Sequence, residues 1–114
     1  MSTRRTESVS RFIQQTLSEL IRLRVKDPRL GFVTITGCRV SKDLRSARVF
    51  VSVLGSEEER TSSMDTLKRA ASFLRSELAS QLSTRHTPAL IFEYDDSIER
   101  GSRINKLLDD LKQT

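Results

Sequence analysis

Apolar side chains at Val9, Phe12, Ile13, Leu17, Leu20, Ile21 and Val25 recur at three- and four-residue intervals, which predicts an amphipathic helix from Val9 to Val25. Its other face carries Arg11, Gln15, Ser18, Arg22 and Lys26. The helix stops at Asp27-Pro28, because proline disfavours helical geometry in the residue before it. In "FVTITGCRVS" Val33 and Ile35 share one face, the alternation slips at Gly37, and Cys38 and Val40 resume it. One extra residue at a glycine predicts a β-bulge. After the turn residues "SKDLRS", Ala47, Val49, Val51 and Val53 alternate with Arg48, Phe50 and Ser52, so the two strands form a hairpin.

The stretch "GSEEERTSS" reads as a polar loop whose acidic run, Glu57 to Glu59, is solvated. Ser62 and Asp65 then resemble a capping box, and Met64, Leu67, Ala71, Leu74, Leu78 and Leu82 trace a helical stripe that ends near Ser83. Beyond Pro88, "ALIFEYDD" predicts a third strand with Leu90, Phe92 and Tyr94 on one face. The last segment predicts a helix seeded by Ser97 or Ser102 that buries Ile104, Leu107, Leu108 and Leu111. The order is helix, strand, strand, helix, strand, helix. A three-stranded sheet with helices covering one face makes this an α+β fold.

A chain of 114 residues accommodates one core, so a single domain over 1–114 is expected, with the basic segment 1–8 and the last few residues as its flexible parts. With no Trp, one Tyr and five Phe, the core must be mainly aliphatic. Cys38 is the one cysteine, which leaves no disulfide framework and no cysteine metal cluster; inside a strand it reads as a small buried apolar group. No apolar run resembles a signal peptide or a membrane span, so the expectation is a soluble cytoplasmic monomer with no membrane partner.

Charge changes the picture more. Residues 1–48 hold eleven basic and four acidic residues, whereas 49–114 hold nine basic and eleven acidic. A one-sided positive field of this kind favours encounter with polyanions, most often nucleic acid. Catalytic signals are weak by comparison. His86 lies in "STRHTP" with no nucleophile nearby in sequence, the glycines are too scattered for a phosphate-binding loop, and Asp95 and Asp96 sit where caps for a following helix belong. No enzyme activity, cofactor or metal is expected. Two competing functions are a protein-interaction module acting through a sheet edge or basic helix face, and a small nuclease using Asp95, Asp96 and Glu99. Phe50 is a single outward aromatic, too little for the stacking platform of an RNA-recognition sheet, and is expected to be covered by the terminal helix or by edge packing.

Four segments in order, "DPRLGFVTITGCRVSKDL", "ARVFVSVL", "LKRAASFLRSEL" and "PALIFEYDDSIERGSRINKLL", resemble the ribosome-binding factor A family from about Val9 to Leu108. The resemblance implies a type II KH-like domain that binds the small (30S) ribosomal subunit late in assembly, contacts 16S rRNA, promotes processing of its 5′ end and aids growth in the cold. It also implies a helix-kink-helix in place of the Gly-x-x-Gly loop of ordinary KH domains, with an Ala-x-Gly step that falls on Ala70, Ala71 and Ser72. Ser72 stands where the family has glycine; a serine hydroxyl bonding back along the helix predicts a kink there all the same. Arg4, Arg5, Arg11, Lys68, Arg69, Ser72, Arg75 and Arg85 are the candidate RNA-binding residues. Arg29, in the Asp27-Pro28-Arg29 turn, has two candidate partners, RNA or a nearby carboxylate.

Overall fold

A computed structural model of the chain describes residues 4–82 and 85–112. Its elements follow the expected order: α1 (Arg4–Arg24), β1 (Phe32–Val40), β2 (Ser46–Leu54), α2 (Glu57–Ala79), β3 (Ala89–Tyr94) and α3 (Ser97–Lys112). Helix α1 starts earlier than the apolar periodicity indicates, so residues 4–8 are its first turns and not a flexible leader, and Thr6 is already buried. Val9, Ile13, Leu17, Leu20 and Ile21 face the core as expected, while Phe12 lies at the border of the stripe and is exposed.

Strands β1 and β2 pair antiparallel, with the register shift falling between Ile35 and Gly37, so Thr36 is the extra residue of the expected bulge. The hydroxyl of Thr36 reaches across the outer face to Asp95 at 2.6 Å. At the hairpin turn Asp43 accepts from the Ser41 hydroxyl (2.6 Å) and the Arg45 amide (3.1 Å), and Leu44 takes a left-handed φ of 59°. Strand β3 then pairs with β2 in parallel, giving the order β1-β2-β3. Parallel neighbours require a crossover, and α2 supplies it. The inner face carries Ile35, Val49, Val51, Val53, Leu90 and Phe92, covered by the buried stripes of α1 and α2.

Helix α2 corrects two expectations. Its N-cap is Ser56, whose hydroxyl accepts from the Glu59 amide while the Glu59 carboxylate accepts from the Ser56 amide. The acidic run is therefore the first helical turn, where carboxylates complement the helix dipole, and not a loop. Gly55 precedes the cap at φ 137°, and a Cβ there would lie 2.7 Å from the Glu59 carboxylate that folds back to close the box. Ser62 and Ser63 do other work. The Ser62 hydroxyl donates to the Arg29 carbonyl and the Ser63 hydroxyl accepts from the Gly31 amide, which ties the 27–31 loop to the helix.

The helix also passes through Ala70, Ala71 and Ser72 without leaving α-helical structure, so the expected kink does not appear as an interruption. The back-bond to a carbonyl four residues earlier is made by Thr66 to Ser62, not by Ser72. Ala70 and Ala71 pack against the core, and Ser72 faces solvent. The helix closes at Ala79, before the expected end near Ser83, a residue outside those described.

Helix α3 departs most from expectation. Its start is set by acids, since Asp95 accepts from the Ser97 amide and the Asp96 carbonyl accepts from the Arg100 amide. Glu99 in its first turn accepts from Arg60 (3.0 Å) and from the Tyr94 hydroxyl, and the Arg60 guanidinium lies 4.4 Å from the centre of the Tyr94 ring. Farther along, Leu107 (63%), Leu108 (50%) and Leu111 (70%) are exposed and do not form the expected buried stripe; the side chain of Ile104 is outside those described. Phe50 is half-buried on the outer sheet face, with the Arg48 guanidinium 5.3 Å from its ring centre.

Truncating Leu74, fully buried, to Ala should cost about 2–5 kcal/mol in equilibrium urea unfolding, whereas Leu108→Ala on α3 should stay within about 0.5 kcal/mol of the parent. In the same assay Ser56→Ala should cost about 1 kcal/mol through the lost cap.

Candidate nucleic-acid interface

The sheet register decides which basic residues meet. Ala89 opens β3 beside Ser46, the first residue of β2, and its amide donates to the Arg45 carbonyl at 2.9 Å. The segment leading into β3 therefore abuts the β1–β2 turn. The Arg75 guanidinium, near the end of α2, donates through Nε (3.1 Å) and Nη2 (2.8 Å) to the Thr87 carbonyl just before β3. At the β1 edge of the sheet, the first half of α1 runs beside the end of β1 and forms a groove of about 640 Å³ with Ser10, Arg11, Gln14, Arg39 and Lys42 among its lining. One end of the sheet thus holds Arg4, Arg5 and Arg11 from α1, Arg39, Lys42 and Arg45 from the hairpin, Arg75 from the last turns of α2 and Arg85 from the α2–β3 connection.

Of the candidate residues read from sequence, Arg4, Arg5, Arg11, Arg75 and Arg85 are brought together here. Arg75 serves first as a brace for the backbone of the connection. Lys68 and Arg69 are not at this end: Lys68 lies eleven residues before Ala79, roughly 16 Å along α2. Arg69 shares a recess with Arg29, Glu57, Glu58 and Asp65, where carboxylates outnumber cations, and its guanidinium donates to the Thr66 hydroxyl. Ser72 and the Ala70–Ala71 step lie between the two regions. Arg39, Lys42 and Arg45 were missed. Their signal was the flanking of a hairpin turn by three cations, which a paired hairpin necessarily brings close; what the sequence hid was the parallel pairing that sets Arg85 and Arg75 beside them.

Ion pairing distinguishes the cations that line the groove from many of the others. Among the described residues, no carboxylate forms a salt bridge with Arg4, Arg5, Arg11, Arg39, Lys42 or Arg85. Other cations are engaged, two pairs of them close to this end: Arg48, the cross-strand partner of Arg39, bonds Glu93 through two nitrogens, and Arg24 reaches Glu77, two residues beyond Arg75; Arg60 pairs with Glu99 and Arg100 with Asp96. Arg29 takes the carboxylate of its two candidate partners. Asp27 accepts from the Arg29 amide (2.9 Å), Nε (3.0 Å) and Nη2 (2.8 Å), and these bonds hold its carboxyl down at about 2. Exposed, unpaired guanidinium and ammonium groups keep their full field for a ligand, whereas paired ones present a dipole.

The carboxylates of the nuclease alternative are committed to structure. Asp95 bonds Thr36 and the Ser97 amide, Asp96 pairs with Arg100, and Glu99 with Arg60 and Tyr94. Among the described residues no three His, Cys, Asp or Glu side chains converge as a metal site would require. Burial pushes the Cys38 thiol up to about 11, so it stays protonated and inert at neutral pH. No helix of the described residues is long and apolar enough to cross a membrane.

The family model for ribosome-binding factor A matches residues 5–108. Curated relatives of that description include one from Desulfitobacterium hafniense, 46% identical over 113 residues and covering 99% of this chain and 90% of the relative. Another, from Thioalkalivibrio sulfidiphilus, is 49% identical over 105 residues, with 92% of this chain and 81% of the relative covered. Among solved structures, the crystal structure of Thermus thermophilus ribosome-binding factor A aligns at a TM-score of 0.69 and 29% identity, covering 78% of this chain and 94% of that one. A homology model of the Thermus thermophilus factor, fitted into a cryo-EM map of its 30S complex, aligns at 0.63 and 30% identity, covering 76% and 91%.

The depressed Asp27 value has a definite sign. A carboxyl whose folded pKa lies below its unfolded value adds stability above the unfolded pKa, at full strength above about pH 5, and loses it as pH falls through the folded value. Carbon-13 NMR titration should place Asp27 near 2, and Arg29→Ala should return it toward the ordinary carboxylate range.

Proposed function

Because the chain belongs to the ribosome-binding factor A family, we propose that it binds the small (30S) ribosomal subunit late in assembly, with its unpaired basic end against 16S rRNA. The observation that carries this reading is the clustering of cations without ion pairs at one end of the sheet. Arg11, Arg39 and Lys42 share one groove and Arg85 enters β3 beside the hairpin turn, and among the described residues none of the four has a carboxylate partner. The 30S complex of the Thermus thermophilus relative supports the choice of partner. Phosphate contacts supply affinity and orientation, and recognition of a folded rRNA rests on its shape and unpaired segments. The protein then acts without catalysis, by holding one arrangement of immature rRNA that permits processing of the 5′ end. Growth in the cold is where such help counts most, because misfolded RNA helices rearrange slowly there.

Small-subunit binding measured across a KCl series tests this reading. Arg11→Gln, Arg39→Gln and Arg85→Gln should each lower the magnitude of the salt slope by about 0.7 if the phosphates are single-stranded, and Lys68→Gln should leave it unchanged. Unchanged slopes for all three basic-end variants would contradict it. In cells, the triple variant should fail to prevent accumulation of 5′-unprocessed 16S rRNA at low temperature.

A further inference from the structure

We propose that the groove between the first half of α1 and the end of β1 seats one single strand of RNA, with its phosphates against Arg11, Arg39 and Lys42. This deepens the preceding function and rests on it for the identity of the RNA. The groove has about 640 Å³ of space, within the range of sites that take a small ligand, and is partly open to solvent, with α1 as one wall and the end of β1 as the other. Its three cations have no carboxylate partner, and Glu7 is the one acid in its lining. Along the α1 wall lie Ser10, whose hydroxyl has no partner among the described residues, and Gln14, whose amide nitrogen reaches the Ile35 carbonyl at 3.4 Å while its amide oxygen has no partner among the described residues. A free carbonyl beside a phosphate track is placed to accept from a ribose 2′-hydroxyl, the group that distinguishes RNA from DNA.

Two alternatives fit less well. A peptide adding a strand to the β1 edge would need a regular ladder, but the bulge at Thr36 and the Gln14 bond to Ile35 interrupt that edge where the groove begins. A duplex would rest on the rim, touching Arg11 and Arg39 from outside and leaving Ser10 and Gln14 unused. No aromatic side chain lines the groove, so bases find no stacking partner and the seat should be indifferent to sequence. The small-residue step of α2 is a poorer seat, because Ala70 and Ala71 face the core and Arg69 sits among carboxylates.

The test uses the full chain and two fluorescent probes, a mixed-sequence single-stranded RNA of about ten nucleotides and an RNA hairpin of the same charge. Ser10→Leu fills the groove without changing charge, and Arg39→Gln removes charge without filling it. Ser10→Leu should weaken single-strand binding about tenfold or more while hairpin binding changes less than about twofold, and Arg39→Gln should cut the single-strand salt slope by about 0.7. Thermal melts confirm that both variants fold; if Ser10→Leu does not, the Arg39→Gln slope decides alone. Single-strand binding unaffected by Ser10→Leu, or weakened equally with the hairpin, would overturn the groove and leave the small-subunit function standing. Displacement of the RNA by polyglutamate at equal charge concentration would overturn it in favour of an acidic protein segment. Failure of the broader function is read separately, from intact small subunits.

Discussion

The parallel pairing of β3 against β2 fixes where everything else ends. A parallel neighbour must start at the same end of the sheet as its partner, so the chain leaving β2 has to travel back along the whole strand before β3 can begin. Nine residues of β2 span about 30 Å and the 23 residues of α2 about 35 Å, so one uninterrupted helix makes the return trip. This explains why the soft Ala70–Ala71–Ser72 centre is helical. A real break would shorten the span and misplace the entry to β3, and the buried residues on either side, Leu67 and Leu74, hold one continuous stripe against the sheet. Small side chains at Ala70 and Ala71 settle against the core.

The same pairing sorts the charge. Because α2 begins at one end of the sheet and finishes at the other, its acidic first turn lies far from the hairpin turn and its last turns lie beside it. The acids of the far end meet Arg29, Arg60 and Arg100, either directly or through the 27–31 loop and the start of α3. The acids at the near end are Glu7, Asp43 and Glu77; Asp43 is drawn into the turn by Ser41 and the Arg45 amide, and Glu77 pairs with Arg24, which leaves Arg11, Arg39 and Lys42 without an ion pair. Net charge alone would describe a weak, diffuse positive field. The fold makes it polar along one axis, which is the form that orients a protein on a polyanion.

Much of this was legible in the sequence, and the misses have physical causes. Element order, inward faces of both hairpin strands and the bulge at Gly37 follow from local alternation, which reports directly on the pleat. The start of α2 was misplaced because two serine-led boxes compete there, and the Ser56–Glu59 pair wins by adding a turn and leaving Ser62 and Ser63 free to anchor the 27–31 loop. The leucines of α3 obey helical spacing without having a surface to bury against, so periodicity overstated the core. Arg4, Arg5 and Arg11 read as neighbours on a basic helix from the sequence alone, and α1 carries all three. Arg39, Lys42 and Arg45 needed the register of β3 to show that they lie at the same end of the sheet as Arg85, and local charge says nothing about the acids that folding brings close to Arg69.

The central claim is that RNA lies against the end of the sheet where α1, the hairpin turn and the α2–β3 connection meet. Ultraviolet crosslinking of the protein on intact small subunits, with crosslinked peptides identified by mass spectrometry, addresses it most directly. The account predicts crosslinks to 16S rRNA from segments 4–14, 38–45 and 85–88. Crosslinks confined to 57–69 and α3, with none from those three segments, would contradict it.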